Sequence, residues 1–249
     1  MIKNLIVGGC SFTQTDHNNW SLETLNHYGP MNHINLARPA AGNFYISDSL
    51  IQCLMTEKLN PEETLVLIMW SGVGRTDIIV SDEFYKLVKP IWKTSCYDRN
   101  YVFSGGLSNW QTDKDSDKWF VAPIFDNIYK TQDYTSLAKN TLSNIIKTKD
   151  FLIANGYNFE FMSYVDYWQD TEEILSPNLD FSITYYNGDD IALKNLSQHW
   201  IWTNKKTECF YEYARRKNLI SSDNFHPSEE GHVKFAKDIV IPSIKKYFE

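Results

Sequence analysis

The chain alternates short apolar runs with amphipathic stretches. KNLIVGG at 3–9 is an apolar run ending in two glycines, the form of a buried strand entering a tight turn. HINLA at 33–37 predicts a second strand, the uncharged TLVLIMW at 64–70 a third, and FEFMSYV at 159–165 a fourth. Helical patterns lie between them. Residues 20–28 predict a short helix, and from Phe44 to Glu57 the side chains of Ser47, Leu50, Ile51 and Leu54 share one helical face. The strongest helix runs from about Ser136 to Ala154, with Leu142, Ile145, Ile146, Lys149, Leu152 and Ile153 as its stripe and Asn155-Gly156 as its stop. A helix around 206–217 follows. The last begins near Ser228 and carries Val233, Ala236, Ile239, Val240 and Ile244 on one side; Pro242 should kink or break it.

Strands alternating with helices predict an α/β fold: a three-layer α/β/α sandwich with a central, mostly parallel sheet, as a single domain over 1–249. Two stretches interrupt the pattern. Residues 91–130 and 166–204 have no clean period and are rich in aromatic and polar side chains. Each is expected to be a long loop insertion serving as a lid or binding surface.

Composition removes several functions. A net charge of −7 argues against a general nucleic-acid or membrane-surface binder. Lys205, Lys206, Arg215, Arg216 and Lys217 lie close together and read as a solvated helix face. No apolar run is long enough to cross a bilayer, and the first is too short for a signal peptide, so a cytoplasmic location is expected. Cys10, Cys53, Cys96 and Cys209 are widely spaced, which predicts free thiols and no metal centre. No cofactor is expected either. There is no GxGxxG, and SGVGRT fails as a phosphate loop because Met69 stands where its first glycine belongs and Arg75 where its lysine belongs. Trp110, Trp119, Trp168, Trp200 and Trp202 fall outside the core strands, where a sugar platform and loop packing are equally good readings. The acids Asp166, Asp170, Glu172 and Glu173 read as a solvated loop rather than paired catalytic carboxylates.

Ligands bind α/β sheets beyond the carboxyl ends of the strands. The first strand leads into Gly9-Cys10-Ser11-Phe12-Thr13, the second into Ala41-Gly42-Asn43, and the third into Trp70-Ser71-Gly72-Val73-Gly74-Arg75. Asp223-Asn224-Phe225-His226-Pro227 precedes the last helix. Singly, these are a turn serine, a turn glycine and a helix-start histidine. In this order they resemble the SGNH (GDSL-type) hydrolase family, whose sheet is flavodoxin-like. GCSFT looks like that family's first block, with Ser11 as nucleophile. NLARPAAGN looks like the second, where the backbone N–H of Gly42 would serve the oxyanion hole. DNFHPSEEGH looks like the DxxH block, with Asp223 orienting His226 as base.

The resemblance implies a serine esterase acting on a small acyl ester. The aromatic insertions suggest an O-acetyl group on a carbohydrate. The spacing suits the chemistry. A serine hydroxyl needs an adjacent base. Asp223 and His226, three apart on one turn, can pair so that the other ring nitrogen faces Ser11. The N–H groups of Ser11 and Gly42 would then meet the developing oxyanion. Two departures stand out. Cys10 replaces the family's usual aspartate before the serine and is expected to be structural. The third block lacks the family's GxND asparagine; Ser71, Arg75 and the nearby Asn43 are the candidates to replace that donor. Losing one oxyanion donor costs roughly 2.7–4 kcal/mol of barrier. His232 reads as a helix-face residue rather than a metal ligand. An O-acyltransferase using the same triad, and a non-catalytic carbohydrate-binding module on the same fold, remain as alternatives. The oligomeric state is open.

Overall fold

The computed structural model describes residues 1–14, 18–88, 93–104, 122–165, 198–201, 209–223 and 225–249. In chain order its elements are β1 (Asn4–Gly8), α1 (Trp20–Tyr28), β2 (Asn32–Asn35), α2 (Asn43–Glu57), β3 (Thr64–Trp70), β4 (Asp77–Val80), α3 (Asp82–Leu87), β5 (Lys93–Cys96), β6 (Arg99–Phe103), α4 (Ala122–Thr131), α5 (Tyr134–Ala154), β7 (Asn158–Ser163), α6 (Phe210–Arg216) and α7 (Glu229–Phe235). A π-helical turn (Ala236–Val240) joins α7 to α8 (Ile241–Ile244).

The central sheet is parallel, in the order β2-β1-β3-β7. Every residue of β3 is buried, as its uncharged sequence requires of a strand covered on both faces. The segment around Trp200 extends the sheet beyond β7: Phe161 N–H donates to His199 O at 2.7 Å, and Ile201 N–H to Phe161 O at 2.7 Å. Helix α2 packs on α5, and α1 packs on α7 and the π turn. This is the α/β/α architecture expected from the strand–helix alternation.

A second sheet was not legible in the pattern. Strands β4, β6 and β5 form an antiparallel sheet in the order β4-β6-β5. The region expected to be a loop insertion at 91–130 therefore holds, where described, a hairpin and the helix α4. Tyr97 and Asp98 turn the hairpin at φ 48 and 60, the left-handed pair that a two-residue hairpin needs. The small sheet covers a second side of α2. Tyr45 meets Tyr101 and Phe103 edge-on at 4.9 and 5.2 Å, and buried Asp48 takes Arg99 and the Tyr101 hydroxyl. The remainder of 91–130, most of 166–204, and with them Trp110, Trp119, Trp168, Trp202, Lys205, Lys206 and the acids from Asp166 to Glu173, lie outside the described residues.

On α5, Leu142, Ile145, Lys149 and Leu152 are buried, whereas Ile153 is 52% exposed, one position past the stripe. At the C-terminus, Pro242 does not break the helix. Proline lacks an N–H, and its ring crowds the carbonyl one turn earlier. The wider π turn lies just ahead of it, and the helix continues through Ile244.

Candidate active site

Strand β1 delivers Ser11 to the carboxyl end of the sheet through a turn that only glycine permits. A Cβ on Gly9 would lie 2.2 Å from Thr13 Oγ1. The N–H groups of Thr13 and Gln14 both donate to Cys10 O, at 2.9 and 3.0 Å, and close the turn. Cys10 itself is fully buried in the core, and its thiol is free. Ser11 is left half-buried at the mouth of the turn.

Asp223 and His226 come from a loop closed at its root. Ser228 N–H donates to Leu219 O at 2.7 Å, and Ser221 N–H to His226 O at 2.8 Å. Ser228 then caps α7, its hydroxyl accepting from Gly231 N–H. The turn that caps α7 thus also holds His226 in place. Inside the loop, Asp223 Oδ1 accepts from the N–H groups of Phe225 and His226, both at 2.9 Å, and from the Ser221 hydroxyl. Its Oδ2 lies 2.6 Å from His226 Nδ1, and His226 Nε2 lies 3.0 Å from Ser11 Oγ. The carboxylate fixes the proton on Nδ1, which leaves the Nε2 lone pair facing the serine. Partial burial pushes the Asp223 carboxyl up, but the hydrogen bonds from Ser221, His226 and the two backbone N–H groups outweigh it and hold the carboxyl well below the usual range. It is a carboxylate at neutral pH.

Aromatic rings back the histidine. Phe12 lies 5.2 Å from the His226 ring and stacks on Tyr164 at 4.2 Å, while Phe225 meets His226 edge-on at 5.0 Å. Arg75 lays its guanidinium over the Tyr164 ring at 5.1 Å and reaches Ala41 O through Nη1 at 3.4 Å.

The second block is held in a way the sequence did not suggest. Gly42 N–H donates to Asp77 Oδ1 at 2.8 Å, and Tyr45 N–H donates to Asp77 Oδ2 at 2.9 Å. Asp77 thereby caps α2, whose own N-cap residue, Gly42, has no side chain to do so. Burial pushes the Asp77 carboxyl up to about 7, against the two N–H donors and Arg75. A Cβ on Gly42 would fall 2.7 Å from Asp77 Oδ2 and 2.8 Å from Arg75 O, so the close approach demands glycine. The N–H expected to face an oxyanion is therefore held by a carboxylate.

Asn43 ties the second block to the third. Its Oδ1 accepts Ser71 N–H at 2.8 Å, and its Nδ2 donates to Ser71 O at 2.9 Å and Thr141 Oγ1 at 3.2 Å. Both amide hydrogens are engaged, so this side chain clamps the second block to the third. Ser71 is fully buried, and its hydroxyl has no hydrogen-bond partner among the described residues.

Three contributors went unrecognised in the sequence: Asp77, Tyr164 and Ser221. The start of α2 at Gly42 without a capping side chain was the available signal for Asp77. Tyr164, an aromatic at the carboxyl end of a strand, was the signal for the ring stack. His232 is buried against Phe210, 5.0 Å between rings, and belongs to the core. Arg215, Arg216 and Lys217 are exposed, as a solvated face should be. Among the described residues there is no group of three metal-ligating side chains, and no helix is long and apolar enough to cross a membrane.

No protein-family model matches the sequence, and no curated protein sequence matches it. Solved structures do. A psychrotrophic esterase from Pseudoalteromonas is 13% identical, with 99% of this chain and 98% of that one covered at a TM-score of 0.51. A catalytic mutant of an acetylxylan esterase from Geobacillus stearothermophilus is 8% identical, with 98% and 94% covered at 0.50. A lipolytic protein of the G-D-S-L family from Veillonella parvula is 10% identical, with 94% of each chain covered at 0.48.

Proposed function

Starting from a chain with the α/β/α fold of the SGNH hydrolases, we propose that it is a serine esterase that removes a small acyl group, an O-acetyl group on a carbohydrate, with Ser11, His226 and Asp223 as its triad. One observation carries this reading: the unbroken contact series from Asp223 to His226 at 2.6 Å and from His226 to Ser11 at 3.0 Å. Two neighbours in fold are an esterase and an acetylxylan esterase, which agrees with it.

In the proposed reaction Ser11 Oγ attacks the ester carbonyl while its proton passes to His226 Nε2. Asp223 stabilises the imidazolium through Nδ1. The tetrahedral oxyanion is met by Ser11 N–H, which has no hydrogen-bond partner among the described residues. Two further donors are proposed: Gly42 N–H, on exchange from Asp77, and the buried hydroxyl of Ser71 in place of the family's asparagine. Collapse of the intermediate breaks the bond to the alcohol oxygen, which takes the proton from Nε2 and leaves an acyl-enzyme. A water molecule, deprotonated by His226, then attacks the acyl carbon. The second collapse returns that proton to Ser11 and releases the carboxylic acid.

Fluorophosphonate labelling with a Ser11→Ala control, together with 4-nitrophenyl acetate turnover, tests the reading. Labelling confined to the chain with Ser11 and turnover lost in Ser11→Ala are expected. A folded wild-type chain that neither labels nor turns over would overturn it. Ser71→Ala is expected to lower kcat by about 10²-fold with KM little changed. An unchanged kcat would remove Ser71 from the hole.

A second reading, a glycan-binding module on the same fold without catalysis, is favoured by the retention of Gly42 N–H on Asp77. Glycan binding by a chain that does not label would select it.

A further inference from the structure

A cavity of about 400 Å³ lies between the start of α2, the connection from β3 to β4, and helices α4 and α5. Neither Ser11 nor His226 lines it. We propose that this cavity is a subsite for a neutral glycosyl unit of the substrate alcohol, an inference that rests on the esterase reading above.

Size assigns the cavity to the alcohol rather than the acyl group. Small-molecule sites occupy ~300–1,000 Å³, and a two-carbon acetyl group would leave such a space almost empty. The lining chooses the chemistry. Its floor is apolar, from Val73, Ile78 and Leu137. Its rim carries the amides Gln132, Asn140 and Asn144, which offer both donors and acceptors to a ring of hydroxyl groups. The side-chain amides of Gln132 and Asn140 have no hydrogen bond among the described residues, whereas Asn144 Nδ2 donates to Asn140 O at 2.9 Å.

Charge excludes the other occupants. Among the described residues, the ionisable side chains of the lining are one guanidinium, Arg75, and one carboxyl, Asp77. Both oxygens of Asp77 already accept backbone N–H groups, so it is poorly placed to hold a cation. Arg75 lies over Tyr164 and reaches Ala41 O, so it is poorly placed to hold an anion. A neutral polyol with an apolar ring face satisfies the floor and the rim together.

The cavity is also wired to the triad. Arg75 lines it and lies over Tyr164, which stacks on Phe12, the ring beside His226. Asn43 lines it and holds the Ser71 backbone at the third block. An oligosaccharide seated in the cavity would therefore bear on the loops that shape the site.

The test is the double variant Gln132→Ala/Asn140→Ala, whose two positions lie at the rim and make no contact with the triad. Substrates are 4-nitrophenyl acetate, 4-nitrophenyl hexanoate, and O-acetylated xylotetraose and chitotetraose. The double variant is expected to raise KM for at least one acetylated oligosaccharide by roughly five- to tenfold. Turnover of 4-nitrophenyl acetate should stay within twofold. An unchanged KM for both oligosaccharides overturns the subsite, and so does a change confined to the preference for hexanoate over acetate, which would make the cavity an acyl pocket. If the wild type neither labels nor turns over, the esterase reading fails separately. The subsite is then decided by calorimetric binding of the unacetylated tetraoses: binding weakened in the double variant supports it, and no binding to the wild type overturns it.

Discussion

Replacing Asp77 with asparagine should change how the protein's stability depends on pH. Asp77 is 7% exposed and anchors two N–H groups at the start of α2. Its carboxyl is raised from 3.8 to about 7, chiefly by burial. The folded chain therefore binds this proton roughly three powers of ten more tightly than the unfolded chain, and each power is worth about 1.4 kcal/mol. The sign follows from linkage. A group with a raised folded-state pKa contributes stability that is fully present below its unfolded value and is lost as pH rises through its folded value. Wild-type stability relative to Asp77→Asn should thus fall by about 4 kcal/mol between about pH 4 and about pH 8 and level off above that. The asparagine does not titrate. Its amide can accept from Gly42 N–H, but its NH₂ end would oppose Tyr45 N–H, an offset that is constant with pH. Urea unfolding of both chains across this range measures the difference directly, and the titrations they share cancel. Parallel stability profiles would refute the reasoning, and a difference that grows with pH would reverse it.

Other changes have equally definite outcomes. Asp223→Asn keeps the side chain's shape but sets an NH₂ group or a neutral oxygen against His226 Nδ1, so 4-nitrophenyl acetate turnover should fall by roughly 10³–10⁴-fold; a loss under tenfold would deny Asp223 an orienting role. Gly42→Ala brings a methyl group within 2.8 Å of Arg75 O and should destabilise the fold by about 1–3 kcal/mol in denaturant melts, whereas Gly8→Ala, with no contact nearer than 3.6 Å, should cost less. Arg99→Leu strips the guanidinium from Asp48, whose side chain is 7% exposed. It should cost about 2–3 kcal/mol, less than a fully orphaned buried charge, because the Tyr101 hydroxyl remains. Equal stability of the two chains in guanidinium melts would show that pair to be unimportant.

The parts of the fold visible in the sequence are those with local signatures. Strand β3 declares itself because burial on both faces leaves no room for charge. Helix α5 does so because one stripe faces the core. The pairing of Asp223 with His226 was legible because the two lie within one turn of chain. What escaped was set by distant partners. Strands β5 and β6 are only four and five residues long, β5 is largely polar, and Tyr-Asp is not the usual sequence for a left-handed turn. Helix α2 looked one-sided because nothing local shows that Arg99 and Tyr101 would return to bury Asp48. Asp77 carried no local signal for the same reason: its partners, Gly42 and Tyr45, stand more than thirty residues earlier. The hydrogen bonds of Asn43 to Ser71 and Thr141 were hidden too, since only the fold brings those residues to its amide.

The closed loop from Leu219 to Ser228 has a kinetic consequence. Asp223 and His226 are joined across three residues, so their contact demands almost no long-range order, whereas the contact with Ser11 spans 215 residues. If the C-terminal helices loosened, Asp223 and His226 would depart together as an assembled pair and leave the serine behind. For the proposed triad, inactivation by mild denaturant would then be the reversible loss of a single distance, and recovery would require docking one preformed piece.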